Sequence, residues 1–134
     1  MRHDPSPYPE RVNRLRAGIS EKDALLILHE KNIRYLTGFT GSDGTLMAGR
    51  DWLTLLVDGR YTTQARGEAV GAEIFEFRSR VDGITAVAGE RAAGAIGFES
   101  PSLTVEDYLK LQEKLPGMVF YPLSDGLQSL RAVK

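Results

Sequence analysis

The first part of the chain combines helical spacing with a short continuous apolar run. Val12, Leu15 and Ile19 recur every three to four residues, which places them on one face of a predicted helix. The unbroken apolar run at 24–28 has the length of a strand and is too short for a stable helix. It therefore predicts a strand that is buried on both faces near the centre of a sheet.

Two further apolar runs predict a hairpin. They cover residues 44–48 and 52–57, and each has the length of a strand. The three residues between them, Gly49-Arg50-Asp51, include the glycine and aspartate that short turns prefer. We expect the two strands to pair antiparallel.

The second half of the chain alternates helices with strands. Four helices are predicted here. The first follows Gly59, and the second is capped by Asp82. The third begins with a capping box formed by Thr104 and Asp107, and the fourth begins at Ser124. Each helix is expected to turn apolar residues inward. In chain order these are Tyr61, Ala65 and Ala69 in the first helix; Ile84, Val87 and Ala88 in the second; Leu103 and Tyr108, which form a hydrophobic staple, in the third; and Leu127 and Leu130 in the fourth. Strands are predicted between these helices at 73–77, 95–98 and 118–121.

Together these elements predict an α/β domain with about six strands and about five helices. The sheet is expected to be mixed, because the 44–57 hairpin is its one locally antiparallel connection, and to be flanked by helices in two or three layers. Pro5, Pro7 and Pro9 lack amide donors and disfavour helix in the residues before them. We therefore expect residues 1–10 to form an extended arm and residues 11–134 to form the domain.

Composition excludes several classes of function. The 134 residues fit one domain, and a net charge of −1 removes the bulk electrostatic argument for nucleic acid. No apolar run approaches the roughly 20 residues that a membrane helix needs, and residues 1–10 have no apolar signal-peptide core. We expect a cytoplasmic protein without nucleic acid or membrane partners. The absence of cysteine removes disulfides and thiolate zinc sites.

The two histidines offer little for catalysis. His3 lies in the predicted arm, and His29 follows the central strand, where a solvent-facing loop position is the favoured interpretation. No HExxH motif and no cluster of histidine and acidic residues occurs. We therefore expect no catalytic metal and no hydrolytic activity in this chain.

The glycine-rich loop at 38–44 is the first candidate site. Its backbone amides offer a cradle for a phosphate, but a strand and not a helix follows it. A tight crossing into that strand is the favoured alternative.

The second candidate site, Asp58-Gly59-Arg60-Tyr61, stands where a strand ends, the edge at which open α/β sheets bind ligands. Arg60 offers paired donors to a carboxylate, with Tyr61 beside it. In the alternative, which the spacing favours, Asp58 caps the next helix and Arg60 forms a surface ion pair.

Two sequence segments together form a pattern that is more specific than either segment alone. Residues 32–42 (NIRYLTGFTGS) and 56–65 (LVDGRYTTQA), separated by the hairpin and preceded by the 24–28 strand, resemble the amino-terminal domain of the creatinase/prolidase family. Within the family they are most similar to Xaa-Pro dipeptidases and Xaa-Pro aminopeptidases. The resemblance extends from Arg11 to Lys134 and implies a six-stranded mixed sheet flanked by helices.

The resemblance also implies a second, catalytic domain that is absent from this chain. In the family, two Asp, one His and two Glu of that pita-bread domain hold two divalent ions, manganese, cobalt or zinc, which activate water for amide hydrolysis. Residues 130–134 (LRAVK) look like the connection into it, so we expect the chain to be part of a longer enzyme. Its partners would be its own catalytic domain, a second subunit in a homodimer and a proline-containing peptide substrate.

By the same resemblance, Phe39, Ser42, Arg60 and Tyr61 are expected to approach the substrate or the neighbouring subunit. Gly38, Gly41 and Gly59 are expected to permit backbone turns. If the motifs instead serve to join the two domains, Asp58 and Arg60 are structural.

Two alternative functions remain open. In the first, the chain is a module of a catalytically inactive relative that binds a peptide or a protein. In the second, it is the amino-terminal domain of a creatinase. The near-neutral charge and the lack of an acidic tail argue against histone binding.

Overall fold

Six strands and five α-helices are present in the computed structural model, which describes residues 6–123. The helices are α1 (Tyr8–Arg16), α2 (Glu30–Thr37), α3 (Thr62–Glu68), α4 (Arg80–Glu90) and α5 (Val105–Lys114), and a 3₁₀ turn, Gly59–Tyr61, precedes α3. The strands are β1 (Asp23–Ile27), β2 (Thr45–Ala48), β3 (Leu53–Asp58), β4 (Glu73–Phe77), β5 (Ala95–Phe98) and β6 (Val119–Pro122). No helix among the described residues is long and apolar enough to cross a bilayer.

The strands form one mixed sheet in the order β4-β3-β2-β1-β5-β6. β2 pairs antiparallel with both β1 and β3, whereas the pairs β3–β4, β1–β5 and β5–β6 are parallel. These pairings confirm the predicted hairpin and the predicted mixed α/β sheet. Five strands therefore end at the same side of the sheet, which we call the carboxyl edge, and β2 begins there.

Helices cover both faces of the sheet, so the domain has three layers. Successive residues of β1 point to opposite faces. Leu25 and Ile27 belong to the core beneath α1, α2 and α3, whereas Ala24 and Leu26 belong to the core beneath α4 and α5. Both cores contain fully buried side chains, and the central strand is buried on both sides as its sequence predicts.

The first helix begins earlier than expected. α1 starts at Tyr8, so residues 8–10 are helical and not part of an extended arm. Pro9 occupies the first turn, where a missing amide removes no hydrogen bond and the fixed φ angle suits a helix. The helix also ends at Arg16, so Ile19 is buried in the core from the segment that follows it.

The helix caps agree with the prediction at α5 and differ at α4. Thr104 accepts a hydrogen bond from the Asp107 amide at 3.1 Å, as expected for a cap. The cap of α4 is Ser79, which accepts from the Asp82 amide at 3.4 Å, so the expected cap at Asp82 is wrong. Asp82 instead lies in the first turn, where a negative charge is favourable. The helix predicted from Ser124, with Leu127 and Leu130, lies outside the described residues.

Candidate functional site

The two motif segments meet at the carboxyl edge. The loop between α2 and β2 carries Ser42, and the 3₁₀ turn after β3 carries Tyr61. Their hydroxyl groups lie 2.8 Å apart in a hydrogen bond that either can donate. The fold thus joins two segments that are 19 residues apart in the sequence.

Asp58 holds Arg60 in a fixed orientation. The Asp58 carboxylate accepts from the Arg60 amide at 2.9 Å, from its Nε at 3.2 Å and from its Nη2 at 2.9 Å. These bonds lower the pKa of Asp58 and raise that of Arg60. Asp58 therefore caps the turn, as the structural alternative predicts, and it is also the ion-pair partner of Arg60. The Arg60 side chain is still 72% exposed, so it is accessible to a ligand.

Asp43 lies between two guanidinium groups, an arrangement that the sequence analysis missed. Its carboxylate is 4.0 Å from Arg60 Nη2 and 4.0 Å from Arg80 Nη2, and its carbonyl accepts from Arg80 at 2.8 Å. Asp43 has a φ of 61°, which aspartate tolerates better than most residues. The Asp43-Gly44 pair was a usable turn signal, whereas nothing near Arg80 in the sequence pointed to this edge.

Phe39 supports the site from beneath and does not face solvent. Its side chain is 1% exposed, and its ring packs edge to face against Tyr61 with centroids 6.3 Å apart. A Cβ at Gly41 would clash with the Phe39 ring. The expectation that Phe39 contacts the substrate or a partner is therefore corrected, because a buried ring cannot reach either.

The other two glycines differ in what they do. Gly38 has a φ of 87° and ends α2 in the left-handed conformation that glycine adopts at no steric cost. Gly59 has no such φ, and a Cβ there would make only ordinary contact with Glu76 at 3.4 Å. The expected backbone turn is thus supported at Gly38 by its positive φ. At Gly41 the close approach of the Phe39 ring, and not a turn, requires glycine, and at Gly59 neither a positive φ nor a close contact requires it.

A carboxylate on α3 anchors the start of the loop. Glu68 accepts from the Thr40 amide at 2.8 Å and from the Thr40 hydroxyl at 3.0 Å, and Gln64 donates to both residues. The Thr40 amide is the main cause of a lowered pKa at Glu68. Gln64 of the second motif therefore serves the loop of the first motif. The glycine-rich loop leads into β2 and not into a helix. This agrees with a tight crossing into the strand, which the sequence favours over a phosphate cradle.

A second carboxylate, Glu99, fixes the start of α2 from beneath. It is 7% exposed and accepts from the backbone amides of Leu28 and His29 and from the side-chain amide of the buried Asn32. Asn32 of the first motif is thus structural. His29 is a half-buried loop residue that caps α2, accepting from the Lys31 amide at 3.2 Å. Within residues 6–123 no three His, Cys or acidic side chains are grouped to hold a metal ion.

We expect the pKa of Asp58 to depend on Arg60. A carboxyl whose pKa is lowered on folding adds stability above its ordinary value of 3.8 and loses that contribution as the pH falls through the folded value. Carbon-detected NMR titration should find the Asp58 pKa below 3.8 and shifted upward by Arg60→Gln. The variant Arg66→Gln, which alters an exposed residue of α3, should leave it unchanged. An Asp58 pKa indifferent to Arg60→Gln would contradict the described ion pair.

Comparison with known proteins identifies the family. A family model described as the creatinase/prolidase N-terminal domain matches residues 11–133. The uncharacterized peptidase YqhT of Bacillus subtilis is 33% identical over 113 residues, which are 84% of this chain and 32% of that protein. The chain belongs to the creatinase/prolidase N-terminal domain family.

Solved structures share the fold. The Xaa-Pro dipeptidase from Bacillus anthracis superposes with a TM-score of 0.86 at 30% identity, over 95% of this chain and 36% of that one. The N-terminal domain of the cytoplasmic peptidase PepQ from Mycobacterium tuberculosis superposes with a TM-score of 0.81 at 36% identity, over 91% of this chain and 98% of that one. This chain thus spans about a third of the length of the Bacillus subtilis and Bacillus anthracis proteins. It spans nearly all of the Mycobacterium tuberculosis N-terminal domain.

Proposed function

We propose that this chain is the noncatalytic N-terminal domain of an Xaa-Pro dipeptidase or aminopeptidase, in which it shapes substrate access and subunit assembly. One observation carries the proposal. The exposed Arg60 and the part-buried Tyr61 and Ser42, from two separate segments, form a preorganised polar edge. The resemblance to a named Xaa-Pro dipeptidase supports the substrate class.

The chemistry of hydrolysis belongs to the second domain in this proposal. Two divalent ions, manganese, cobalt or zinc, would activate the attacking water there. This domain would supply no ligand to those ions. Its contribution is positional, since a correctly oriented substrate reacts faster than a loosely held one.

Arg60 is the residue best placed to contact a ligand. Asp58 occupies its Nε and one side of its Nη2, and Asp43 lies 4.0 Å from Nη2, which leaves Nη1 for another acceptor. A peptide carboxylate, or a carbonyl of a neighbouring subunit, is the matching group. Because Asp58 already fixes the fork, little further side-chain ordering is needed for binding.

The assembly that we propose is a cytoplasmic homodimer in which this domain begins with α1. The cytoplasmic assignment draws support from the Mycobacterium tuberculosis relative, which is described as a cytoplasmic peptidase. The partners are the protein's own catalytic domain, the second subunit and a proline-containing peptide.

Steady-state kinetics of Arg60→Ala test the proposal. In the protein that joins this domain to its catalytic domain, we expect kcat/KM for an Xaa-Pro dipeptide to fall at least tenfold. A tenfold loss corresponds to about 1.4 kcal/mol of transition-state stabilisation. Arg66→Ala removes an equal charge from the exposed face of α3 and serves as the matched control, with kcat/KM unchanged.

Two outcomes would reject this role. Equal kinetics and equal dimerisation in the Arg60→Ala and control proteins would show that Arg60 is structural only. No Xaa-Pro hydrolysis in the parent protein, together with saturable peptide binding to this domain, would instead favour the binding module of an inactive relative.

A further inference from the structure

A groove lies at the opposite side of the sheet from Arg60, where β3 and β4 begin and where α1 and α4 end. It has a volume of about 440 Å³ and is lined by charged residues of both signs. A smaller slot of about 120 Å³, lined mainly by apolar side chains, adjoins it, and Arg16, Leu53 and Gly71 line both spaces. The combined space is of the size that small-molecule sites occupy in proteins.

One ion pair already forms in the groove, although Arg91 Nε, like Arg16 Nε, has no hydrogen-bond acceptor within residues 6–123. Arg91 donates to Glu73 at 2.6 Å, and its guanidinium lies over the Trp52 ring at 5.0 Å. These contacts hold Arg91 in place as one wall. A ligand therefore meets a neutral ion pair on this side.

The groove also contains one uncommitted charge of each sign. Neither Arg16 nor Asp51 forms an ion pair with any residue in the described part of the chain. Arg16 is part-buried, and its Nε lacks a hydrogen-bond acceptor within residues 6–123. Because no carboxylate of the described residues pairs with Arg16, its guanidinium can donate to an added anionic group.

The adjoining slot supplies apolar contact. Val12 of α1, Leu53 of β3 and Val70 between α3 and β4 line it. Val12 and Leu53 are nearly fully buried, so the slot is built on the core and does not depend on mobile surface residues. A branched aliphatic side chain or a proline ring matches this surface.

We propose that the groove binds a small zwitterion with an apolar side chain, the chemistry of a free α-amino acid. The carboxylate would pair with Arg16, the ammonium with Asp51, and the side chain would enter the slot. A simple anion such as phosphate fits less well, because Asp51 would repel it and it has no apolar group to enter the slot. The site lies at the edge opposite Arg60, so this proposal does not depend on the proposed function.

Binding of L-leucine and L-proline to the 134-residue chain tests the proposal. Amide NMR titration should give saturable shifts at Leu53, Val70, Gly71 and Ala72. N-acetyl-leucine lacks the ammonium and leucinamide lacks the carboxylate, so each should bind at least tenfold more weakly than leucine. Inorganic phosphate should bind more weakly than leucine as well.

Charge variants locate the contacts. Arg16→Gln and Asp51→Asn should each weaken leucine binding at least tenfold. Arg50→Gln, in the same turn as Asp51 but outside the groove, and Arg60→Ala, at the other edge, should leave it unchanged. Asp51→Asn should not further weaken N-acetyl-leucine, which has no ammonium to lose.

Three results would overturn the proposal. These are no saturable shift with either amino acid, equal binding of leucine and its two blocked analogues, or an equal response to Arg16→Gln and Arg50→Gln. Circular dichroism and thermal melting of each variant establish that it folds. Loss of amino-acid binding would leave the proposed role of Arg60 intact, because that role is measured by peptidase kinetics.

Discussion

Replacing Phe39 by alanine is expected to destabilise the domain by about 3–5 kcal/mol. The ring is 1% exposed, belongs to the core beneath α1, α2 and α3, and packs against Tyr61. Its removal would leave a cavity beneath the loop that carries Ser42. Chemical denaturation of the wild type and the variant, analysed as free energies of unfolding, measures the effect.

Phe39→Leu provides the matched comparison, because it keeps most of the apolar volume. We expect it to cost roughly 1–2 kcal/mol and to leave the domain folded if the alanine variant unfolds. A loss below about 1 kcal/mol for Phe39→Ala would mean that the ring is exposed in solution. That result would restore the expectation that Phe39 contacts the substrate or a partner.

Replacing Glu99 by alanine is expected to cost roughly 3 kcal/mol. The carboxylate accepts three hydrogen bonds, two from the backbone amides that open α2 and one from Asn32. Its loss leaves those donors without their acceptor, and the Asn32 side chain is buried away from water. Denaturation curves report the change in free energy of unfolding.

Two further variants give this prediction its control. Glu99→Gln keeps one oxygen for the backbone amides, so it should cost less than half as much as the alanine variant. Glu106→Ala removes an exposed carboxylate from α5, where it forms a surface ion pair with Lys110, and should change stability by less than about 0.5 kcal/mol. Equal stabilities for Glu99→Ala and Glu106→Ala would show that the Glu99 hydrogen bonds do not contribute.

The strands were predictable because the buried ones carry their signal locally. Residues 24–28 have the unbroken apolar pattern of a strand that is covered on both faces, and the turn residues at 49–51 define the hairpin. The position of Asp58 at the end of β3 was also predictable, since an aspartate after an apolar strand is a common cap. The sequence therefore predicts both the sheet and the edge at which the candidate site lies.

The parts that were not predicted depend on contacts between distant segments. Phe39 lies in a glycine-rich loop and would be expected at the surface, yet Tyr61, 22 positions later in the sequence, helps to bury it. Glu99 is an isolated acidic residue after a strand, and its partners lie 67–71 positions earlier. No local pattern reports such pairings, because tertiary packing and not periodicity creates them.

The first helix shows a different limit of prediction from sequence. Three prolines in the first nine residues predicted an extended arm, but proline is favourable in the first turn of a helix. Pro9 occupies that position in α1, and the Pro7 carbonyl accepts the first helical hydrogen bond, from Arg11, at 3.2 Å. Proline by itself therefore does not distinguish an extended arm from the first turn of a helix.

The central claim is that the carboxyl edge of this sheet faces the substrate. A crystal structure of the protein that joins this domain to its catalytic domain, with a bound nonhydrolysable Xaa-Pro analogue, tests it most directly. We expect the Arg60 guanidinium and the Ser42–Tyr61 pair to line the cleft that holds the analogue, from the same subunit or the neighbouring one. The claim is contradicted if this edge faces solvent in the dimer and Arg60 contacts neither the analogue nor the second subunit.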